Sequence, residues 1–158
     1  MLPESPILSI RHRNRFMMYW TDTVLRESEE EHMRLKRKRL VEVYHRKMTT
    51  EKDAECHNNV FYGPASGIKV EMWPAGGKLQ AEMYGVRLPN IRNLRVDGAY
   101  QEVCVDGVVR FQLENGPAIT VKDGINLYTA AGDDPDYEIV AIRPFGHLTL
   151  EVERRVGV

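Results

Sequence analysis

Glycine is absent from the first 62 residues of this 158-residue chain; all 12 glycines lie at Gly63 or later. Proline is nearly as scarce there, with only Pro3 and Pro6 ahead of Pro64. Cysteine is limited to Cys56 and Cys104, too few for a disulfide-dense secreted scaffold and without zinc-type spacing to histidine. No apolar run approaches the roughly 20 residues that a membrane-spanning helix needs. The opening with Pro3, Glu4 and Pro6, soon arginine-rich, lacks a signal-peptide core, which predicts a soluble, cytoplasmic chain. Net charge is also missing: 22 Lys+Arg against 23 Asp+Glu leave -1, which excludes a globally basic nucleic-acid coat and an acidic disordered tail. Neither a G-x-S-x-G elbow nor a phosphate loop nor a dinucleotide fingerprint occurs.

What is present divides the chain in two. Residues 1–57 carry 12 Lys/Arg and 10 Asp/Glu, a net of +2, and residues 58–158 carry 10 and 13, a net of -3. A glycine-free, charge-dense part beside a glycine-punctuated part predicts an α+β, mainly β chain. Its domains are then a helical extension over 1–57 and a small antiparallel β-barrel or sandwich over 58–158. Asn58, Asn59, Gly63 and Pro64 mark the expected boundary.

One long helix is predicted from Asp22 to Met48. Asp22 suits the N-cap, Glu27 and Glu29–Glu31 lie toward the positive end, and Arg46 and Lys47 fall in the last turn. Glu30–Arg34 and Glu42–Arg46 are spaced for i,i+4 pairing. Its apolar stripe, Met33, Leu40, Tyr44 and Met48, is thin, so the helix needs a surface to dock on.

From Phe61 onward the apolar period moves toward two. Strands are expected at Ile68–Trp73, which ends in the turn Pro74–Gly77, and at Ile91–Val96. Leu79–Tyr84 fits either a strand or a short helix. Tyr100–Val105 and Val108–Leu113 flank Asp106-Gly107, the dipeptide of a type I′ hairpin. A second hairpin is expected at Asp123-Gly124, between Ile119–Val121 and Ile125–Tyr128. Tyr137–Ile142 and Leu148–Val152 supply the last two strands.

Each chemically suggestive cluster has a plainer reading. Arg34, Lys36, Arg37, Lys38 and Arg39 form a basic run that could lie along phosphates, as in DNA or another polyanion. The plainer reading, a solvated helix face balanced by the preceding glutamates, is preferred. Asp133, Asp134 and Asp136 lack the spacing of an EF-hand and read as a turn in which aspartates accept from nearby backbone donors. His12, His32, His45, His57 and His147 form no H-x-x-x-H set. Cys104, between Val103 and Val105, reads as a small core or half-core residue. Gly76-Gly77-Lys78 reads as a hairpin turn. No acid, base and nucleophile converge, so the chain reads as a non-enzyme, with no catalytic, cofactor or metal residues and no cofactor.

Val70–Gly77, Gln80–Leu88, Asp123–Tyr128 and Asp134–Pro144, all within residues 60–153, together resemble segments of tailed-phage head–tail connector proteins of the head-closure or adaptor type. The resemblance implies a virion protein, present in the host cytoplasm before assembly, that forms a ring oligomer with itself and contacts neighbouring phage structural proteins. It implies no membrane partner. The helical first 57 residues fall outside the pattern and would reach a neighbouring subunit, the portal or packaged DNA. Gln80–Leu94, broken by Pro89-Asn90, is the expected extended contact element, with Tyr84, Arg87, Leu88 and Leu94 as subunit-contact residues. The alternative is a small β-barrel binding module whose basic helix engages nucleic acid or another polyanion.

Overall fold

The computed structural model describes residues 39–157. The chain is mainly β, as its period-two segments predict. Six antiparallel strands close a barrel: β1 (Val41–Lys52), β2 (Asn58–Pro74), β3 (Ile91–Val96), β7 (Gly124–Asn126), β8 (Tyr137–Phe145) and β9 (His147–Arg154). Their order around the wall is β1-β2-β3-β9-β8-β7, with β7 returning to β1. Between β3 and β7 the chain makes a second, three-stranded sheet from β4 (Tyr100–Val105), β5 (Val108–Leu113) and β6 (Ala118–Ile119).

Alternation decides which side chains enter the barrel. Leu94 stands opposite Leu150 across the β3–β9 ladder, and Ile139 opposite Val152 across β8–β9; all four are fully buried. Val43, Val70, Val96, Ile125 and Leu148 complete this interior, and Phe111, Leu113 and Ile119 of the small sheet join the same cluster. Tyr100 meets Phe111 edge-on, with ring centroids 6.1 Å apart.

Strand β1 corrects the long-helix expectation. Val41–Met48 is strand, in register with β2 from Val41↔Val70 to Lys52↔Asn58. The physical reason is that Val41, Val43, Tyr44, Thr49 and Thr50 are β-formers, and Val43 and His45 alternate inward. The expected boundary at 57/58 therefore falls inside a hairpin whose turn is closed by hydrogen bonds between Asp53 and His57 and between Cys56 and Asp53. The rest of the predicted helix, from Asp22 to Lys38, lies outside the described residues, as do the arginines and aromatics of residues 1–20.

The Asp106-Gly107 hairpin forms as its dipeptide predicts, with φ of 53° and 76° at the two turn residues. The Asp123-Gly124 hairpin does not form. Ile119 pairs with Phe111 in the small sheet, whereas Gly124–Asn126 pairs with β1 and β8 in the barrel. Asp-Gly is here the junction between two sheets. Gly124 is small for packing reasons: a Cβ there would lie 2.4 Å from Pro135 Cγ and 2.9 Å from Tyr62 Cδ1.

Gly76-Gly77 likewise leads into a helix rather than a hairpin, with Gly77 at φ 87°. That helix, α1 (Lys78–Tyr84), continues into a 3-10 helix, Gly85–Asn90. The pair replaces the extended loop expected over Gln80–Leu94. Helix α1 lies on the outer face of β3 and β9, where Asn93 stands opposite Glu151. Strand β9 is thus covered on both sides, which explains why Leu150, Glu151 and Val152 are all buried in succession.

Candidate functional site

Two buried polar centres and two projecting hairpins carry the chemistry among the described residues. The first centre is built on Glu151, 1% exposed. Its carboxylate accepts from Arg143 Nε at 2.6 Å, from Gln80 Nε2 at 3.0 Å and from the Tyr84 hydroxyl. Gln80 and Tyr84 are one helical turn apart, so a single carboxylate holds one face of α1. Gln80 also donates to Asn93 Oδ1 at 2.8 Å and accepts from the Gly76 N–H at 2.9 Å, which fixes the entry to the helix. Burial pushes the Glu151 carboxyl up, but its hydrogen bonds from Arg143, Tyr84 and Gln80 outweigh this and hold it below the usual carboxylate range. Burial and the Glu151 hydrogen bond drive the Tyr84 phenol well above its ordinary value. A shallow pocket of about 400 Å³ lies beside this centre, lined by Trp73, Gly76–Gln80, Asn93, Arg143, Thr149 and Glu151.

The second centre pairs His45 with Asp123, both 2% exposed. His45 Nε2 donates to Asp123 Oδ2 at 2.7 Å. Asp123 also accepts from the Met48 N–H at 3.0 Å, the Thr120 N–H at 2.9 Å and the Thr120 hydroxyl at 3.0 Å. Burial raises this carboxyl, and the bonds from His45, Met48 and Thr120 bring it below the usual range. Met48 follows the register shift in β1, so the centre pins the root of the β1–β2 hairpin to the junction between the two sheets.

Both carboxyls titrate lower in the folded chain than in the unfolded one. Their stabilising contribution is therefore complete above the unfolded value, about 4, and is lost as pH falls through the folded values. Urea midpoints should stay level from pH 7 to about pH 5 and decline below about pH 4. A midpoint that rises on acidification would contradict the direction of both shifts.

The sequence-expected site residues scatter. Arg34, Lys36, Arg37 and Lys38 lie outside the described residues. Arg39 is exposed and pairs with Glu71 at 3.4 Å, a carboxylate that also meets Arg95 at 3.7 Å. Of the four expected subunit contacts, Leu94 is fully buried in the barrel and Tyr84 is 8% exposed. Their apolar bodies serve the fold, which corrects that assignment. Arg87 is exposed, bound to Glu153 at 3.1 Å and set over the Tyr84 ring, and Leu88 is half-buried. Leu94→Ala should accordingly cost about 3 kcal/mol of stability, visible in urea unfolding, while leaving the surface unchanged.

Asp136 behaves as the turn reading expects, accepting from the Leu127 and Tyr128 N–H groups at 2.8 and 3.1 Å. Asn126 ties the same loop by donating to Thr129 Oγ1 and to the carbonyls of Ala130 and Asp133. Cys104 corrects the core expectation: it is exposed, as is Cys56.

The sequence predicts the β4–β5 hairpin as a fold element but not as an exposed surface, and it does not predict the β1–β2 hairpin. Among the described residues the outer part of β1–β2 has no third strand, and it exposes Val60 and Phe61. Positions 101–109 of β4–β5 are all exposed, including Val103, Val105, Val108 and Val109. Valines beyond the last core-facing residue of a hairpin were the available signal. No family model matches the chain, and no curated protein or solved structure matches it either.

Proposed function

We propose that this chain is a non-enzymatic structural protein that assembles with copies of itself into a ring, of the kind tailed phages place at the junction of head and tail. The observation that carries this reading is a closed barrel bearing two hairpins whose apolar side chains face solvent. Exposed apolar side chains clustered on a rigid body are a feature of protein–protein contact surfaces. The sequence resemblance over residues 60–153 supports the same reading. Neighbouring structural proteins of the particle are the further partners it implies.

Mass spectrometry of phage-like particles from the induced source strain tests it. Several copies per particle are expected, including peptides from residues 1–57. Absence from particles whose other structural proteins are plainly detected would remove the connector role. Salt-sensitive DNA binding that disappears on neutralising Arg37, Lys38 and Arg39 would then favour the polyanion-binding module.

A further inference from the structure

We infer that a second copy of this chain pairs with strand β4 across a two-fold axis, in a register centred on Val103. This inference does not rest on the ring reading; it rests on an unprotected strand edge. The barrel strands close on one another, whereas among the described residues β4 is hydrogen-bonded only to β5. Open edges are commonly blunted by proline, lysine or a bulge. The projecting part of β2 has such protection in Pro64, which lacks an N–H and sits beside the register shift. Strand β4, Tyr-Gln-Glu-Val-Cys-Val, has none of these devices.

The ladder fixes which backbone groups are free. The Ala99 carbonyl accepts from the Glu114 N–H at 3.0 Å, so odd positions of β4 turn toward β5. Tyr100, Glu102 and Cys104 therefore turn their N–H and C=O groups outward. Antiparallel pairing of two such edges must be centred on one residue, and charge together with the apolar face selects among the choices. Centring on Gln101 joins two polar amides and sets Val103 opposite Ala99, outside the strand. Centring on Glu102 places the two Glu102 carboxylates directly opposite, and centring on Cys104 places Glu102 against Asp106. Like charges so placed are destabilising. Centring on Val103 sets each Glu102 opposite Cys104 of the other copy, forms about four backbone hydrogen bonds, and joins the Val103 side chains. Val105 and Val108, 38% and 49% exposed in the single chain, extend that apolar band on both sides. The two small sheets become one six-stranded sheet, which covers the open edge of the free subunit.

Disulfide trapping in the full chain tests the register. Val103→Cys, in a Cys56→Ser, Cys104→Ser background, should cross-link into a dimer on mild oxidation. Cα atoms in a non-hydrogen-bonded antiparallel pair lie about 4.5 Å apart, within disulfide reach. Gln101→Cys in the same background should stay monomeric on non-reducing gels. Equal cross-linking at both positions, or none at Val103, overturns the inference. Sedimentation of variants that keep the native hairpin gives a second reading. Cys104→Lys should tighten the dimer and Cys104→Glu weaken it, by about five-fold each; indistinguishable dimer populations overturn the charge-selected register. Cross-linking at Val103 without larger rings would keep this inference and remove the ring, and rings without the cross-link would do the reverse.

Discussion

Asp123→Ala should lower the stability of the barrel by about 4 kcal/mol, read as a fall of roughly 15 °C in melting temperature. The substitution removes one carboxylate and strands four donors at once: His45 Nε2, the Met48 and Thr120 N–H groups and the Thr120 hydroxyl. A buried donor left without an acceptor costs about 1–3 kcal/mol, and water reaches this site poorly because His45 and Asp123 are each 2% exposed. The loss should not be purely global. Met48 anchors the base of the β1–β2 hairpin, so amide exchange over Lys47–Tyr62 should accelerate more than exchange in β9. A melting temperature within 3 °C of the parent would show that the pair contributes little, and a uniform exchange profile would show that it does not anchor the hairpin.

The second large effect is expected at Glu151. Glu151→Ala should cost about 3–5 kcal/mol, toward the lower end because Arg143 is 34% exposed and retains water around its guanidinium. The Tyr84 hydroxyl and the Gln80 amide lose their shared acceptor on the barrel wall. Helix α1 has seven residues and no side-chain N-cap, so it cannot persist through propensity alone. Limited proteolysis should therefore open the 77–90 segment before the barrel unfolds. Glu151→Gln keeps an acceptor and should recover part of the loss. If proteolysis instead proceeds first within β3, the carboxylate supports the wall and not the helix.

Elements whose local preference agreed with their burial were legible in the sequence. Ile91–Val96 and the Asp106-Gly107 hairpin fall where alternation and turn chemistry put them. Strand β1 reads as helix in the sequence because Glu42 and Arg46 have the i,i+4 spacing of a helical pair, and the basic run before them extends the same composition. The β-formers from Val41 to Thr50 already favour a strand, and pairing with β2, which joins Val41 to Val70, settles it. Asp123-Gly124 misled for a related reason. Its dipeptide favours a hairpin, but the buried carboxylate is committed to His45, 78 positions away. The two polar centres were invisible for the same cause: His45, Asp123, Gln80 and Glu151 meet only when the barrel closes.

The order of strands around the wall also governs when this protein can become a folded object. Strands β1, β2 and β3 follow one another and form a meander as they are made. The wall, however, continues from β3 to β9, the last strand in the described chain, and seals only when β7 reaches β1. Ile91 must wait for Glu153, and Leu94 for Leu150. During synthesis the apolar faces of three strands are thus exposed until β9 has left the ribosome. Such distant pairing slows folding, and chains caught at that stage expose apolar surface and strand edges. A nascent chain arrested before Leu148 should engage chaperones, whereas one released with β9 complete can close the wall over its core.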